Sequence, residues 1–354
     1  KSDMPYKTKA IMSVWAFKRK RAPSGDIIKY KARLCSHGGH QVWGEIYWET
    51  FAPVVNWLSI RTMMAISIIH RLQTRSVDFT LSFPQADLKE DIYMLLPAGI
   101  TSEDEEHKYV LKLNKSLYGL KQAARNWYEC LSQALLDRRL NPTIRDSCVF
   151  LGKRMVVITY VDDCLIFSPS GSDVADDLIT SLQEGNENFV FTDQDSIETY
   201  LGMDIKHQNG QITMTQPHLI QRFLKLIGIT GEFLKKTKAI PALSSSLLAK
   251  GGSAREYFWN YRQAVGMLNY LAGTTRPDIS FAVHQVARFS QEPRLSHDRA
   301  IRHLGKYLLG TADKGLVYKP DKNRGLECFV DADFAGGWDA QDKLNPRSEE
   351  RRVG

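Results

Sequence analysis

The chain has 354 residues, of which 43% are hydrophobic and 25% charged, and its formal net charge is +7. That length allows two or three compact units with real cores, and that composition excludes a disordered or low-complexity chain. No apolar run approaches the roughly 18 residues of a spanning helix, and no charged, apolar and small-residue series of a secretory leader opens the chain, so no membrane association and no secretion are expected.

The first forty residues stand apart. They hold ten Lys or Arg against two acids, Asp3 and Asp26, which gives them +8 and leaves −1 for everything after. A basic block confined to one end has the pattern of a phosphate-binding surface, with a merely solubilising face as the plainer alternative. Residues 12–35 read as a hairpin: "WAFKRKR" and "IIKYKARL" are joined by the turn formers of "APSGD". Trp15, Phe17 and Tyr30 interleave with the bases, which favours strands presenting cations over a loose tail. "CSHGGH" then brings Cys35, His37 and His40 close together, but two glycines and a missing fourth ligand make it a poor tetrahedral metal site. Five scattered cysteines, with no Cys-x-x-Cys pair, read as reduced thiols.

Residues 58–72 read as a largely buried helix. "RSVDFTLSF" offers a short strand carrying Asp78, and "DIYMLLPAG" another strand, ended by Pro97 and Gly99. From Ala123 to Asn141, the apolar positions Trp127, Leu131, Ala134 and Leu135 recur at helical spacing, with Asn141-Pro142 as the stop; a core role is expected of them.

"MVVITY" and "CLIF" are apolar runs rich in β-branched and aromatic residues, and the pair Asp162-Asp163 falls between them. Two strands with the acids at their turn are predicted. Asp is a common turn residue for backbone reasons alone. Yet two adjacent half-buried carboxylates repel one another and drift towards the neutral form unless a cation compensates. Asp78, at the end of a neighbouring strand, would complete a set of three. Three carboxylates from two strands could hold two divalent cations about 3.5–4 Å apart, the arrangement that clamps both oxygens of a phosphoryl transfer. Magnesium prefers such oxygen ligands.

Further on, "SDVADDLITSLQEG" predicts a helix capped at Ser172 or Asp173. "TYLGMDIKHQNGQITMTQ" predicts a hairpin about Asn209-Gly210, and a helix follows at 217–227. Residues 235–256 read as a linker. Helices near 258–273, 278–290 and 297–309 come next, and then "LVYKP" and "LECFVDADF" read as a pair of strands.

The ordered series "KYKARL", "ETFAPVV", "VDFTLSF", "DLKEDIYMLLPAG", "KLNKSLYGLKQAARNWY", "YVDDCLI", "YLGMDI", "YRQAVGMLNYLAGTTRPDISFAV" and "FVDADFAGGW" resembles the reverse transcriptase of copia-type long-terminal-repeat retrotransposons. Nearly the whole chain takes part. The resemblance implies an α+β right-hand polymerase, with fingers, palm and thumb over 1–234 and an antiparallel palm sheet. A helical connection would occupy 257–324, a truncated ribonuclease H-like start 325–338 and an unmatched tail 339–354. It implies RNA- or DNA-templated DNA synthesis with two Mg2+ or Mn2+ ions per site. The partners implied are an RNA template, a DNA primer or duplex and deoxynucleoside triphosphates, with association with other Pol-derived chains as a further possibility. The setting implied is a cytoplasmic virus-like particle or the nucleus.

Carried over residue by residue, the resemblance makes Asp78, Asp162 and Asp163 the catalytic, metal-holding acids. Lys31, Arg33, Phe83, Tyr118 and Gly119 fall to the nucleotide, with Phe83 as the aromatic that excludes a 2′-hydroxyl. Tyr160, Tyr200, Gly202 and Met203 fall to primer and template, and Asp331 to the ribonuclease H-like remnant, from which no activity is expected. Departures lie near the chemistry: "SHGGH" stands where a Lys-Gly-Phe stretch is usual, Gln85-Ala86 where Asn-Gly is, and Pro84 in the turn of helix after Asp78. A decayed copy that only binds nucleic acid is therefore the alternative to a working polymerase.

Overall fold

A computed structural model describes residues 4, 8–21, 27–100, 109–230, 236–242, 248 and 250–321. Asp331, the ribonuclease H-like start and the tail lie outside the described residues. The chain forms two compact units, one built from the residues up to 200 with 205–212 and 318–320, the other from 201–204, 213–317 and 321.

The first unit is organised by a six-stranded antiparallel sheet. In chain order its strands are β3 (Leu72–Phe79), β6 (Asn141–Pro142), β7 (Val149–Leu151), β8 (Val156–Tyr160), β9 (Asp163–Pro169) and β10 (Phe191–Gln194). Their spatial order is β10-β3-β9-β8-β7-β6. The β-branched and aromatic residues of these runs fill the pleat: Val77, Phe79, Val157 and Ile166 join Trp127, Leu131, Leu178 and Phe189 in one core, all nearly inaccessible to solvent. Two amphipathic helices close that core, α3 (Ala123–Asp137) and α4 (Val174–Glu184), each placing its apolar stripe inward. Ahead of them, α1 (Trp57–His70) starts at Asn56, whose side chain accepts from the Leu58 amide at 2.8 Å.

Two smaller ribbons complete the unit. β1 (Ser13–Arg21) pairs with β2 (Ile27–Ser36), as the alternating basic and aromatic residues predict. β4 (Asp87–Leu95) pairs with β5 (Val110–Lys115), and a single-turn helix, α2 (Ser82–Gln85), precedes β4. Pro84 falls inside that one turn, and the helix goes no further.

The second unit is helical. α5 (Pro217–Leu226), α6 (Tyr261–Thr274), α7 (Ser280–Ala287) and α8 (Leu295–Leu309) bury Phe223, Leu268, Leu271, Val283, Ile301 and Leu304 against one another. Strands β11 (Thr199–Tyr200), β12 (Met203–Gln208), β13 (Gln211–Thr215) and β14 (Leu316–Tyr318), which together belong to neither unit alone, form a four-stranded sheet in that order. The β12–β13 turn is the expected one, with Asn209 at φ 51° and Gly210 at φ 70°.

Some boundaries differ from the sequence reading. α3 ends at Asp137 rather than Asn141, because the Arg138 guanidinium turns back onto the Ala134 carbonyl at 2.8 Å and Arg139 takes φ 61°. Asn141–Pro142 forms an edge strand instead. Asp173 stands at the start of α4, but its side chain makes no cap hydrogen bond. The helix expected near 258 begins at Tyr261, where Asn260 caps the Gln263 amide at 3.0 Å. Leu316–Tyr318 pairs with β13, and its expected partner "LECFVDADF" is outside the described residues. Cys35, Cys130, Cys148 and Cys164 are free thiols. Among the described residues no helix is long and apolar enough to cross a membrane.

Candidate active site

The two apolar runs about the Asp pair do form adjacent strands, and Tyr160 faces Asp163 across their hairpin. Val161 and Asp162 make the turn, and Val161 takes φ 53°, a left-handed conformation that a β-branched residue adopts only under constraint. On its other edge β9 pairs with β3, so that Asp78 stands directly opposite Asp163. The Phe79 amide donates to the Asp162 carbonyl at 2.8 Å and extends the pairing into the turn. Register therefore brings the three acids together: Asp78 is exposed, Asp162 and Asp163 half-buried.

Burial pushes the Asp163 carboxyl up to about 6, with repulsion from Asp162 and then Asp78 adding to the effect. Among the described residues, no group of three or more His, Cys, Asp or Glu side chains is arranged to hold a metal ion by itself. The donor chemistry nevertheless fits a hard cation. Magnesium commonly takes one or two carboxylates and completes its shell with water and substrate phosphate, and a divalent charge would relieve the repulsion at Asp163.

Beside the acids lies an aromatic and cationic wall. The Phe83 and Tyr118 rings meet at 4.9 Å, and the Arg33 guanidinium lies 5.0 Å over the Tyr118 ring. Burial raises the Tyr118 phenol above its ordinary value; a hydrogen bond with Ser82 and the charge of Arg33 oppose this, while Asp162 and Asp78 reinforce it. Tyr118 thus senses both Arg33 and the carboxylates. Arg33 belongs to one face of the β1–β2 ribbon, where the register also sets Lys18 opposite Lys31. Like charges directly opposed across strands cost stability unless an anion lies over them.

Gly119 has φ 91°, and a Cβ there would come within 2.1 Å of the Ser36 carbonyl oxygen. A Cβ on Gly38 would likewise meet the Gly119 carbonyl at 2.1 Å. Two backbones pass in contact at this point, joined by a 2.8 Å bond from the Ser36 amide to the Tyr118 carbonyl. Of the remaining expected residues, Tyr160 is half-buried at the end of β8. Tyr200 is 3% exposed, and its hydroxyl has no hydrogen-bond partner among the described residues. Gly202 makes the β11–β12 turn at φ 75°, and Met203 is fully buried.

Three contacts were missed by sequence reasoning. The buried Trp127 indole donates to the Val161 carbonyl at 2.5 Å. The Gln85 side chain pairs both ways with the Val190 backbone, at 2.8 and 2.9 Å, and also donates to the Thr80 carbonyl. The Gly119 carbonyl is the neighbour that makes Gly38 necessary. Only the first carried a readable signal, since an indole N–H placed in a core requires an acceptor.

With this arrangement in view, comparison with known proteins decides the family. The model of the reverse transcriptase (RNA-dependent DNA polymerase) family matches residues 2–244. The chain belongs to that family. This reverse transcriptase chain is 35% identical over 332 residues to the retrovirus-related Pol polyprotein from transposon RE1 of Arabidopsis thaliana, covering 92% of the chain and 22% of that protein. It is 32% identical over 355 residues to the corresponding polyprotein from transposon TNT 1-94 of Nicotiana tabacum, covering 95% and 26%. The transposon Ty1-H Gag-Pol polyprotein of Saccharomyces cerevisiae is more distant, at 23% over 346 residues. The copia-type resemblance is thus borne out, and the chain spans about a quarter or less of the length of these relatives.

Proposed function

We propose that this chain performs template-directed DNA synthesis from an RNA or DNA template by two-metal phosphoryl transfer, as one part of a retrotransposon Pol polyprotein. The observation that carries this is the register that sets Asp78 opposite Asp163 with Asp162 at the hairpin tip, in a chain of the reverse transcriptase family. In this reading the six-stranded sheet is the palm, the β1–β2 ribbon belongs to the fingers, and the helix 217–226 begins the thumb.

Asp78 and Asp162 would hold the cations, with Asp163 in support. When bound, such ions supply the charge that activates a primer 3′-hydroxyl and steadies the departing pyrophosphate. The chain's own residues do the positioning. Arg33 and Lys31 would meet the triphosphate, Arg by its bidentate fork, and the cationic ribbon face would lose its internal repulsion as it did so. Phe83, held against Tyr118, would close the space a 2′-hydroxyl needs. Tyr118 and Gly119 would border the incoming nucleotide and Tyr160 the primer end. Tyr200 and Met203 are buried, so the turn at Gly202 would offer primer and template its backbone rather than those side chains. Binding to the duplex would be sequence-tolerant and weaken with salt.

Primer extension on an RNA template with magnesium or manganese tests this, comparing the chain with the variant carrying both Asp162→Asn and Asp163→Asn. Extension that disappears in the double variant is expected. No extension by either protein, with salt-sensitive duplex binding kept by both, would favour the non-catalytic reading.

A further inference from the structure

One side chain outside the carboxylate strands touches both of them. Trp127, on α3, is 1% exposed. Its indole Nε1 donates to the Val161 carbonyl at 2.5 Å, and its ring meets Phe79 edge to face at 5.0 Å. Phe79 follows Asp78 in the chain and Val161 precedes Asp162. Phe189 packs against both rings, at 5.5 Å from Phe79 and 5.7 Å from Trp127, and fixes the indole from a third side.

The turn needs such a hold. Val161 sits in a left-handed conformation, which persists for a β-branched residue only where the surroundings over-determine it. If the peptide relaxed, the Val161 carbonyl would lose its donor and Asp162 would swing away from the Phe79 amide, which donates to its carbonyl at 2.8 Å next to Asp78. A residue wanted only for bulk at Trp127 could be any large apolar ring, whereas the observed geometry uses the one polar atom of the indole. That atom is spent on the turn carrying the candidate metal-holding acid.

We propose that Trp127 is a positioning residue: its indole N–H holds the strained Val161–Asp162 turn, and its ring, through Phe79, fixes the end of the strand bearing Asp78. The kinetic consequence rests on the polymerase reading above; the structural consequence does not.

The test uses the full chain and Trp127→Phe, which keeps an aromatic ring and removes the donor. Without added metal, amide hydrogen exchange over 156–169 should rise about tenfold while the α4 and α6 amides change little. In primer extension, kcat should fall about tenfold with KM for the nucleotide within about twofold, the mark of an interaction used in the transition state. Adding Val161→Gly, which removes the strain and keeps the carbonyl, should recover a good part of both losses, a coupling that lost packing alone would not produce. Exchange that rises evenly through the unit, or a folded variant with unchanged hairpin exchange, overturns the proposal. So does a wild-type Trp127 indole proton that exchanges as fast as that of the exposed Trp48, a measurement that needs no variant to fold. Absence of incorporation by the wild-type chain, with the local loosening intact, would count against the polymerase reading and leave the role of Trp127 standing.

Discussion

The acids of the candidate site and those of the helical unit are partnered in different ways. In the helical unit Asp278 is gripped by Arg276 through paired bonds of 2.9 and 2.8 Å, and Tyr307 donates to it at 2.7 Å. Burial would raise its pKa, but these donors outweigh burial and hold it below the ordinary value. Asp298, fully buried, receives two bonds from Arg255 at 2.9 and 3.0 Å, and although burial still raises its pKa, the arginine opposes that rise. In the sheet unit Asp163 is shaped by burial and by two further carboxylates, all of which raise its affinity for protons. An acid balanced by an arginine serves the fold. Carboxylates whose charges act on one another store repulsion that a cation can release, which is what a phosphoryl-transfer site requires.

That contrast can be broken by mutation, and the largest effect should fall on chemistry. Asp162→Asn is expected to lower nucleotide incorporation by roughly a thousandfold or more, about 4 kcal/mol of transition-state stabilisation, with duplex binding kept. Primer extension beside a binding titration measures both; a variant that still extends primers at near the original rate would remove Asp162 from the chemistry. Next comes Arg276→Ala. Arg276 is 1% exposed and also donates to the Thr311 carbonyl and hydroxyl at 2.8 and 2.7 Å, so its loss strands several acceptors at once. A destabilisation of roughly 3 kcal/mol is expected in denaturant unfolding. A loss below about 1 kcal/mol would mean that this pairing does not serve the fold as argued.

Gly119→Ala should cost somewhat less, about 2 kcal/mol, through left-handed strain and the collision with the Ser36 carbonyl. Gly171→Ala is the control: φ is 73° there, nothing lies within 4 Å, and only about 1 kcal/mol is expected. Equal thermal shifts in the two variants would show that the backbone crossing at Ser36 does not constrain Gly119.

How far the sequence could be read follows from the range of each interaction. The β8–β9 hairpin was legible because β-branched runs, turn residues and the Asp pair are local. The Asn209-Gly210 turn, the apolar stripe of α3 and the helix α4 were legible for the same reason. The approach of Gly38 to Gly119 was not, since two backbones 81 positions apart meet there and neither sequence names the other. Arg276 reaching Thr311 is of the same kind, and at Trp127 the need for an acceptor was legible but not that Val161 supplies it. Helix ends misread for a subtler reason: Arg138 turns back onto its own helix and stops α3 four residues before the Asn-Pro pair that looks like its terminus.

The smallest prediction sharpens the comparison most, because it reverses the usual sign. Asp163 has its carboxyl raised from the ordinary 3.8 to about 6, so between those values the folded chain binds more protons than the unfolded one. The contribution of Asp163 to stability without metal should then decline as pH rises from about 4 to about 6 and level off above, the opposite of Asp278, whose contribution is lost as pH falls. Asp163→Asn removes the charge, so the decline should flatten and the metal-free variant should gain at pH 7. Half-burial leaves solvent to screen much of the repulsion, and a gain of about 1 kcal/mol is the discounted expectation. Urea unfolding in the presence of a chelator at pH 4, 5, 6 and 7 measures it. A variant less stable than the wild type at pH 7, with the same slope between pH 4 and 6, would mean that Asp163 is balanced within the fold as Asp278 is. Addition of magnesium should stabilise the wild type more than Asp163→Asn, because the ion relieves a repulsion that only the wild type carries.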